Sequence, residues 1–190
     1  MLYGDFDSPY ISMPGAEAGN KMIANTGTVT MVGKDRSRMT RLTAECQKGS
    51  TTCSIGTGLD WVAGEKIGFA PTASQRKHYE WAIISSYNSA TGALVLTAPL
   101  KFYHFGAAAS TGANYQGVDM RGEVILLNRN IVIEGDMTSN DWHGQFLTTD
   151  TILLDTSGNP VDFKGSTNLK NVEFYKMGQA NNEKAAIRFD

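Results

Sequence analysis

The side chains best suited to chemistry in this sequence are His104, Asp119, Arg121, Asp136 and His143. Histidine titrates near neutrality and so serves as a general acid or base, and His104 sits in an aromatic cluster of Phe102, Tyr103 and Phe105, where burial would adjust its pKa. Hydrolysis of a glycosidic bond needs two carboxyl groups about 5 to 9.5 Å apart. Asp119, Glu123, Glu134, Asp136, Asp141 and Asp150 are the candidates. Arg121 and Arg129 offer guanidinium forks that match the carboxylate of an acidic sugar at two points. His143 follows Asp141 and Trp142, a combination able to stack on a sugar ring and hydrogen-bond its hydroxyls. Each has a plainer reading: a histidine that satisfies a buried hydrogen bond, a surface pair of Arg121 with Glu123 contributing under roughly 1 kcal/mol, and a loop anchor at His143. His78, within Gln75-Arg76-Lys77-His78, reads as solvated.

Cys46 and Cys53 have six residues between them, including Gly49 and two threonines, a spacing that suits a bridge closing a turn or short hairpin. The alternative is two thiols in a reducing cell. Neither a Cys-x-x-Cys nor a paired-histidine pattern is present, so the sequence has no zinc signature. It implies no cofactor and leaves calcium open.

Those residues need a scaffold, and composition bounds it. With 17 Lys+Arg against 19 Asp+Glu, a net charge of −2 and a pI near 5.9, the chain lacks the basic balance that nucleic acid demands. At 41% apolar and 19% charged it should bury a core. Its apolar runs, such as Val124 to Leu127, are far short of the roughly 20 residues that cross a bilayer. The first residues carry neither a basic nor an apolar leader segment, which implies a cytosolic chain or a beginning that lies outside this one. No Asn-x-Ser/Thr sequon occurs.

Gly, Thr and Asn supply 50 of 190 residues, which tilts the expectation to all-β. Apolar clusters of strand length recur at Thr28–Val32, Ile67–Ala70, Trp81–Ile84, Ala93–Leu96, Val124–Leu127 and Ile131–Ile133. The turn residues Asn88 to Gly92 between two such runs predict a hairpin of Glu80–Ser86 with Ala93–Thr97. Ala73–Ile84 would also tolerate a helical turn. Further on, the triplets at Ile131, Ile152, Val172 and Ile187 start 21, 20 and 15 residues apart, the spacing of solenoid coils that stack one short strand per rung. Asn128 and Asn130 fit the corners of such coils, where asparagines hydrogen-bond along the ladder.

Several stretches carry a family resemblance. Trp61-Val62-Ala63-Gly64-Glu65-Lys66-Ile67, Leu94 to Leu100, Tyr103-His104-Phe105-Gly106, Arg121 to Ile131 and Asn171 to Gln179, in this order, resemble the extracellular proteins related to fibrocystin and to the cell-surface hyaluronidases. The resemblance implies a right-handed parallel β-helix with a β-rich side insertion. It implies the closing part of an eight-glycine-type domain over residues 1–33, the insertion or side layer over 34–120, and β-helix coils over 121–190. It further implies a segment of a larger protein outside or on the surface of the cell, which favours a Cys46–Cys53 disulfide. Two departures bear on activity: Ala186-Ile187-Arg188-Phe189-Asp190 lacks the family's histidine, and Asp141-Trp142-His143-Gly144 keeps a histidine but not the paired glycines. The reading that follows is a rigid structural and recognition segment that binds an extracellular glycan or protein. The alternatives are a depolymerase of hyaluronan-like chains, with His104, Asp119, Arg121, Asp136 and His143 as its catalytic set, and a subunit that self-associates into fibres.

Overall fold

Short apolar runs punctuated by Gly, Asn and Asp make strands and tight turns, and the computed structural model is accordingly all-β. It describes residues 1–13, 16–108, 114–136, 141–180 and 184–190, and among these the only helical geometry is a 3₁₀ turn at Arg76–His78. The chain divides into two compact units, Met1–Lys34 with Arg129–Asp190, and Asp35–Asn128. In chain order the first unit contributes β1 (Ile11–Met13), β2 (Ala16–Gly19), β3 (Met22–Asn25) and β4 (Thr28–Val32). The second supplies β5 (Met39–Arg41), β6 (Thr52–Ser54), β7 (Lys66–Phe69), β8 (Glu80–Tyr87), β9 (Ala93–Leu96), β10 (Asn114–Tyr115), β11 (Val118–Asp119) and β12 (Glu123–Leu126). The first then resumes with β13 (Ile131–Glu134), β14 (Gln145–Thr148), β15 (Thr151–Leu154), β16 (Pro160–Phe163), β17 (Ser166–Lys170), β18 (Val172–Tyr175) and β19 (Ile187–Phe189).

In the second unit six antiparallel strands lie in the order β5-β12-β7-β8-β9-β6. A bridge between Leu42 and Ile55 joins the two edges, so the sheet curls onto itself. Period-two alternation sends Ile67 and Phe69, Ala82 and Ile84, Leu94 and Leu96, and Val124 and Leu126 to the same interior. Full burial stabilises the larger of these by roughly 1.5–3 kcal/mol each. Trp61 closes the core and donates its indole N–H to the Ser37 carbonyl at 2.6 Å. The hairpin expected from the sequence is β8 with β9. The Asn88 carboxamide oxygen accepts the N–H groups of Ala90 and Thr91 at 3.0 and 3.2 Å, an Asx turn. The hairpin ends on Gly92 at φ +75°, where a Cβ would collide with the Ile55 carbonyl oxygen. Ala73–Ile84 goes to the 3₁₀ turn and β8, as its run of Trp, Ile and Ile favours.

The first unit is built on parallel pairs between strands distant in sequence: β13 with β18, β3 with β14 and β14 with β19, and β4 with β17. Ile131 lies opposite Val172 and Phe146 opposite Ile187, so 172 minus 131 and 187 minus 146 both give an offset of 41 residues. Phe146, fully buried on the central strand, meets Phe174 edge-on at 6.0 Å. Asparagines hold a corner: Asn130 Oδ1 accepts the Lys34 N–H at 2.7 Å, and Asn171 Nδ2 donates to the Gly33 carbonyl at 3.3 Å. Asn130 thus holds the Lys34 backbone beside β4, whereas Asn128 accepts the Lys66 N–H within the second unit.

The four triplets do not form one stack. Those at Ile131 and Val172 pair with each other, and that at Ile187 pairs with β14. The one at Ile152 belongs to an antiparallel hairpin with β16, its apolar side chains exposed. The reason is turn chemistry. Asp155 Oδ1 accepts the N–H groups of Ser157 and Asn159, both at 2.8 Å, and folds the chain back into the β15–β16 hairpin.

Cys46 and Cys53 form a disulfide with 5.4 Å between their Cα atoms, beside the second unit's core. A loop this short is expected to contribute about 2 kcal/mol by constraining the unfolded chain. Urea unfolding of Cys46→Ala/Cys53→Ala should show that loss, and thiol reduction of the wild type should reproduce it.

Candidate functional site

The structure divides the five residues named above between the units: His104, Asp119 and Arg121 in the second, Asp136 and His143 in the first. His104 has a fully buried side chain and both ring nitrogens engaged, Nδ1 with the Ala70 carbonyl at 3.1 Å and Nε2 with Glu80 Oε1 at 2.9 Å. Both contacts are to oxygen atoms, one of the backbone and one of a carboxyl group. Its backbone exchanges two 3.0 Å hydrogen bonds with Cys46.

Arg121 does not pair with Glu123. It grips Asp119 through Nε and Nη2 at 2.7–3.1 Å, while Arg41 Nη2 takes Glu123 at 2.9 Å. Arg41 Nη1 donates to the carbonyls of Asp119 and Arg121 at 3.1 and 2.9 Å, and its Nε stands 3.3 Å from Asp119. The hydrogen bonds from the Arg121 side chain, helped by its backbone N–H and by the charges of Arg121 and Arg41, hold the Asp119 carboxyl at about 2 against the opposing effect of desolvation. Asp119 and Arg121 thus meet, and no hydrogen bond joins His104 to either.

In the first unit Asp136 forms a buried ion pair with Lys21, whose Nζ also donates to the carbonyls of Asp136 and Trp142 at 3.2 and 2.8 Å. Lys21 thereby links Asp136 to the residue preceding His143. The His143 ring is half-buried, and its Nδ1 has no hydrogen-bond partner among the described residues. Trp142 is buried, donates to Asn20 Oδ1 at 2.8 Å and meets Phe6 edge-on, so its faces are occupied by protein and it offers no open stacking platform. Among the described residues no group of three His, Cys, Asp or Glu is arranged to hold a metal.

A cleft of about 670 Å³ on the second unit is built from residues the sequence reading passed over. Ala82 and Ile84 point into the core from β8, so Tyr79 and Trp81 must point outward, and they are 68% and 59% exposed. Trp81 is registered against Gly68, so its partner on β7 contributes no side chain of its own, and Leu127 covers that glycine. Lys66, two residues before that glycine, carries its ammonium 4.4 Å from the indole centroid. Lys77 and Lys101 also line the cleft, together with Phe102, on which His78 stacks at 4.3 Å. Glu80 is the one acidic residue in the lining, and its side chain is turned inward at 8% exposure. Its carboxylate accepts the N–H groups of Lys101 and Phe102 at 2.8 and 3.0 Å besides facing His104, which fastens one wall of the cleft to β8.

The site was hidden in Tyr79-Glu80-Trp81. Simple alternation puts the aromatics inside and the glutamate outside, and only the neighbouring Ala82 and Ile84 could have shown the reverse.

Comparison with known proteins adds kinship. No family model matches the chain. Fibrocystin-L of Mus musculus is similar, 27% identical over 184 residues, which is 94% of this chain and 4% of that protein. A G8 domain-containing protein of Dictyostelium discoideum is 25% identical over 161 residues, covering 84% and 12%. The cell surface hyaluronidase of Danio rerio is 30% identical over 123 residues, covering 63% and 8%. The chain therefore spans only 4% to 12% of the length of these relatives. Among solved structures, the tailspike protein gp49 from Pseudomonas phage LKA1 superposes with a TM-score of 0.36 at 12% identity, covering 68% of this chain and 20% of that one.

The lowered pKa of Asp119 sets a pH window. Its contribution to stability is fully present above the ordinary value of 3.8 and is lost as pH falls through about 2. Wild type should exceed Asp119→Asn in stability near neutrality, and the gap between their unfolding curves should close between about pH 4 and pH 2.

Proposed function

From its kinship with fibrocystin-L and the G8 domain-containing proteins, we propose that this chain is a segment of an extracellular recognition scaffold. Its first unit is two turns of a right-handed parallel β-solenoid that serves as a rigid support. The second is a β-rich side module, and the assembly presents a face for glycan or protein. In this reading residues 1–33, the closing part of an eight-glycine-type domain, also give β3 and β4 to the parallel pairs; the side layer expected over 34–120 runs on through β12 to residue 128, and the coils follow from 129.

The observation that carries the proposal is the common offset of 41 residues in the β13–β18 and β14–β19 pairs. Two ladders that advance in step are what one solenoid coil produces, each rung stacking about 4.8 Å above the last. Stiffness then comes from ladders whose hydrogen bonds are made between rungs, with β14 paired on both sides. The Cys46–Cys53 disulfide suits an oxidising compartment, and one relative is by name a cell surface protein.

Two measurements test the reading. In native-state hydrogen exchange, amides of β3, β14 and β19 should open together, with the free energy of global unfolding. Separate, low-energy opening of β3 or β19 would remove the rigid support. Size-defined hyaluronan incubated with the protein should keep its chain length from about pH 4 to pH 8, a range that brackets histidine and carboxylate titration. Shortening would replace the scaffold by a depolymerase.

A further inference from the structure

We infer that the cleft on the outer face of β8 binds an acidic saccharide, with a pyranose ring against Trp81 and Tyr79 and its carboxylate or sulfate groups against Lys77 and Lys101. The inference rests on the recognition reading above and gives it a site and a ligand class.

Three observations converge on it. The first is two large aromatic rings held in water within one concavity. The residue registered against Trp81 is Gly68, which has no side chain, and the diagonal neighbour Lys66 brings its ammonium to the ring. A pyranose has a face of C–H groups that such a ring can cover and hydroxyls that remain in water at the open side.

The second is charge. None of the ammonium groups of Lys66, Lys77 and Lys101 has a carboxylate partner among the described residues, whereas Lys21, Lys164 and Lys176 are each paired. The acid of the lining, Glu80, already meets two backbone N–H groups and the His104 ring. The cleft is thus a local excess of positive charge on a chain of net charge −2, complementary to an anion of limited size and too small a basic field for nucleic acid.

The third is preorganisation. Glu80 belongs to β8, which also carries Trp81, and it holds the backbone of Lys101 and Phe102, so the aromatic and cationic walls are joined before any ligand arrives.

The experiment is a titration of the whole chain followed by tryptophan emission. Trp61 and Trp142 are 4% and 9% exposed against 59% for Trp81, so a change in acrylamide-accessible emission reports the cleft. The probes are an unsulfated uronate oligosaccharide, a heparin-derived sulfated one, a neutral malto-oligosaccharide and oligo-glutamate. Either acidic saccharide, or both, should protect the emission saturably, the tighter arm identifying carboxylate or sulfate as the preferred anion. The neutral sugar should bind about tenfold more weakly, as loss of two exposed ion pairs predicts. Lys77→Gln/Lys101→Gln should weaken acidic binding about tenfold and flatten its salt dependence. Trp81→Ala, followed by calorimetry, should weaken it by about the same factor. All three side chains are exposed, so melting curves should be unchanged and the losses attributable to binding.

Absence of a saturable response to both acidic saccharides would overturn the inference. So would equal binding of the neutral sugar, tighter binding of oligo-glutamate, which would mark a peptide site, or full affinity in Trp81→Ala. The two proposals fail separately. Independent opening of the parallel ladders with the cleft still responding removes the scaffold alone, and intact ladders with a silent cleft remove this site alone.

Discussion

The inward turn of the Glu80 carboxylate governs the open side of the second unit. A buried carboxylate is tolerated only when its lone pairs are met, and here Lys101 N, Phe102 N and His104 Nε2 meet them. His104 passes the connection to the Ala70 carbonyl through Nδ1 and to Cys46 through its backbone, next to the disulfide. Strand parity does the rest. Once Glu80 faces inward, Tyr79 and Trp81 face out, so one residue both satisfies a buried histidine and decides what the surface displays.

How much of this was legible in the sequence depends on the range of the interactions. The all-β class and the β8–β9 hairpin rest on local signals, the alternation of Ala82 and Ile84 and the Asn88 turn, and both are in the structure. For the disulfide the short spacing left bridge and free thiols open, and the family resemblance favoured the bridge that the structure has. The different fates of the triplets were not legible. Ile152–Leu154 has the same composition as the triplets in parallel pairs, and only the Asx turn at Asp155 distinguishes it. The pairing of Met22 with Gln145 crosses an entire unit, and no local pattern encodes it. The candidate site residues were chosen for side-chain chemistry, and the structure shows partners for several that type alone does not reveal. Asp119 is matched by two arginines, Asp136 by Lys21, and His104 by Glu80.

Polar groups carry much of the first unit's specificity. The Lys21–Asp136 pair is buried at both ends, and such a pair is costly to break even where it adds little net stability. Asn25 donates to the Ser166 carbonyl and accepts the Gly27 N–H, while the Thr148 and Thr167 hydroxyls meet at 2.6 Å between β14 and β17, strands of two different sheets. These contacts add directional polar ties between sheets to a register that the buried apolar faces already set.

The asparagine corner has an architectural consequence. The first unit's chain departs at Lys34 and resumes at Arg129, and Lys34 N is hydrogen-bonded to Asn130 Oδ1, so the exit and the return lie side by side. An excursion that begins and ends at neighbouring points imposes no stretch on its host, whatever its length. Residues 35–128 therefore behave topologically as a cassette, and the curled sheet can be lengthened, shortened or exchanged by evolution, or by design, while the parallel pairs of the first unit keep their register.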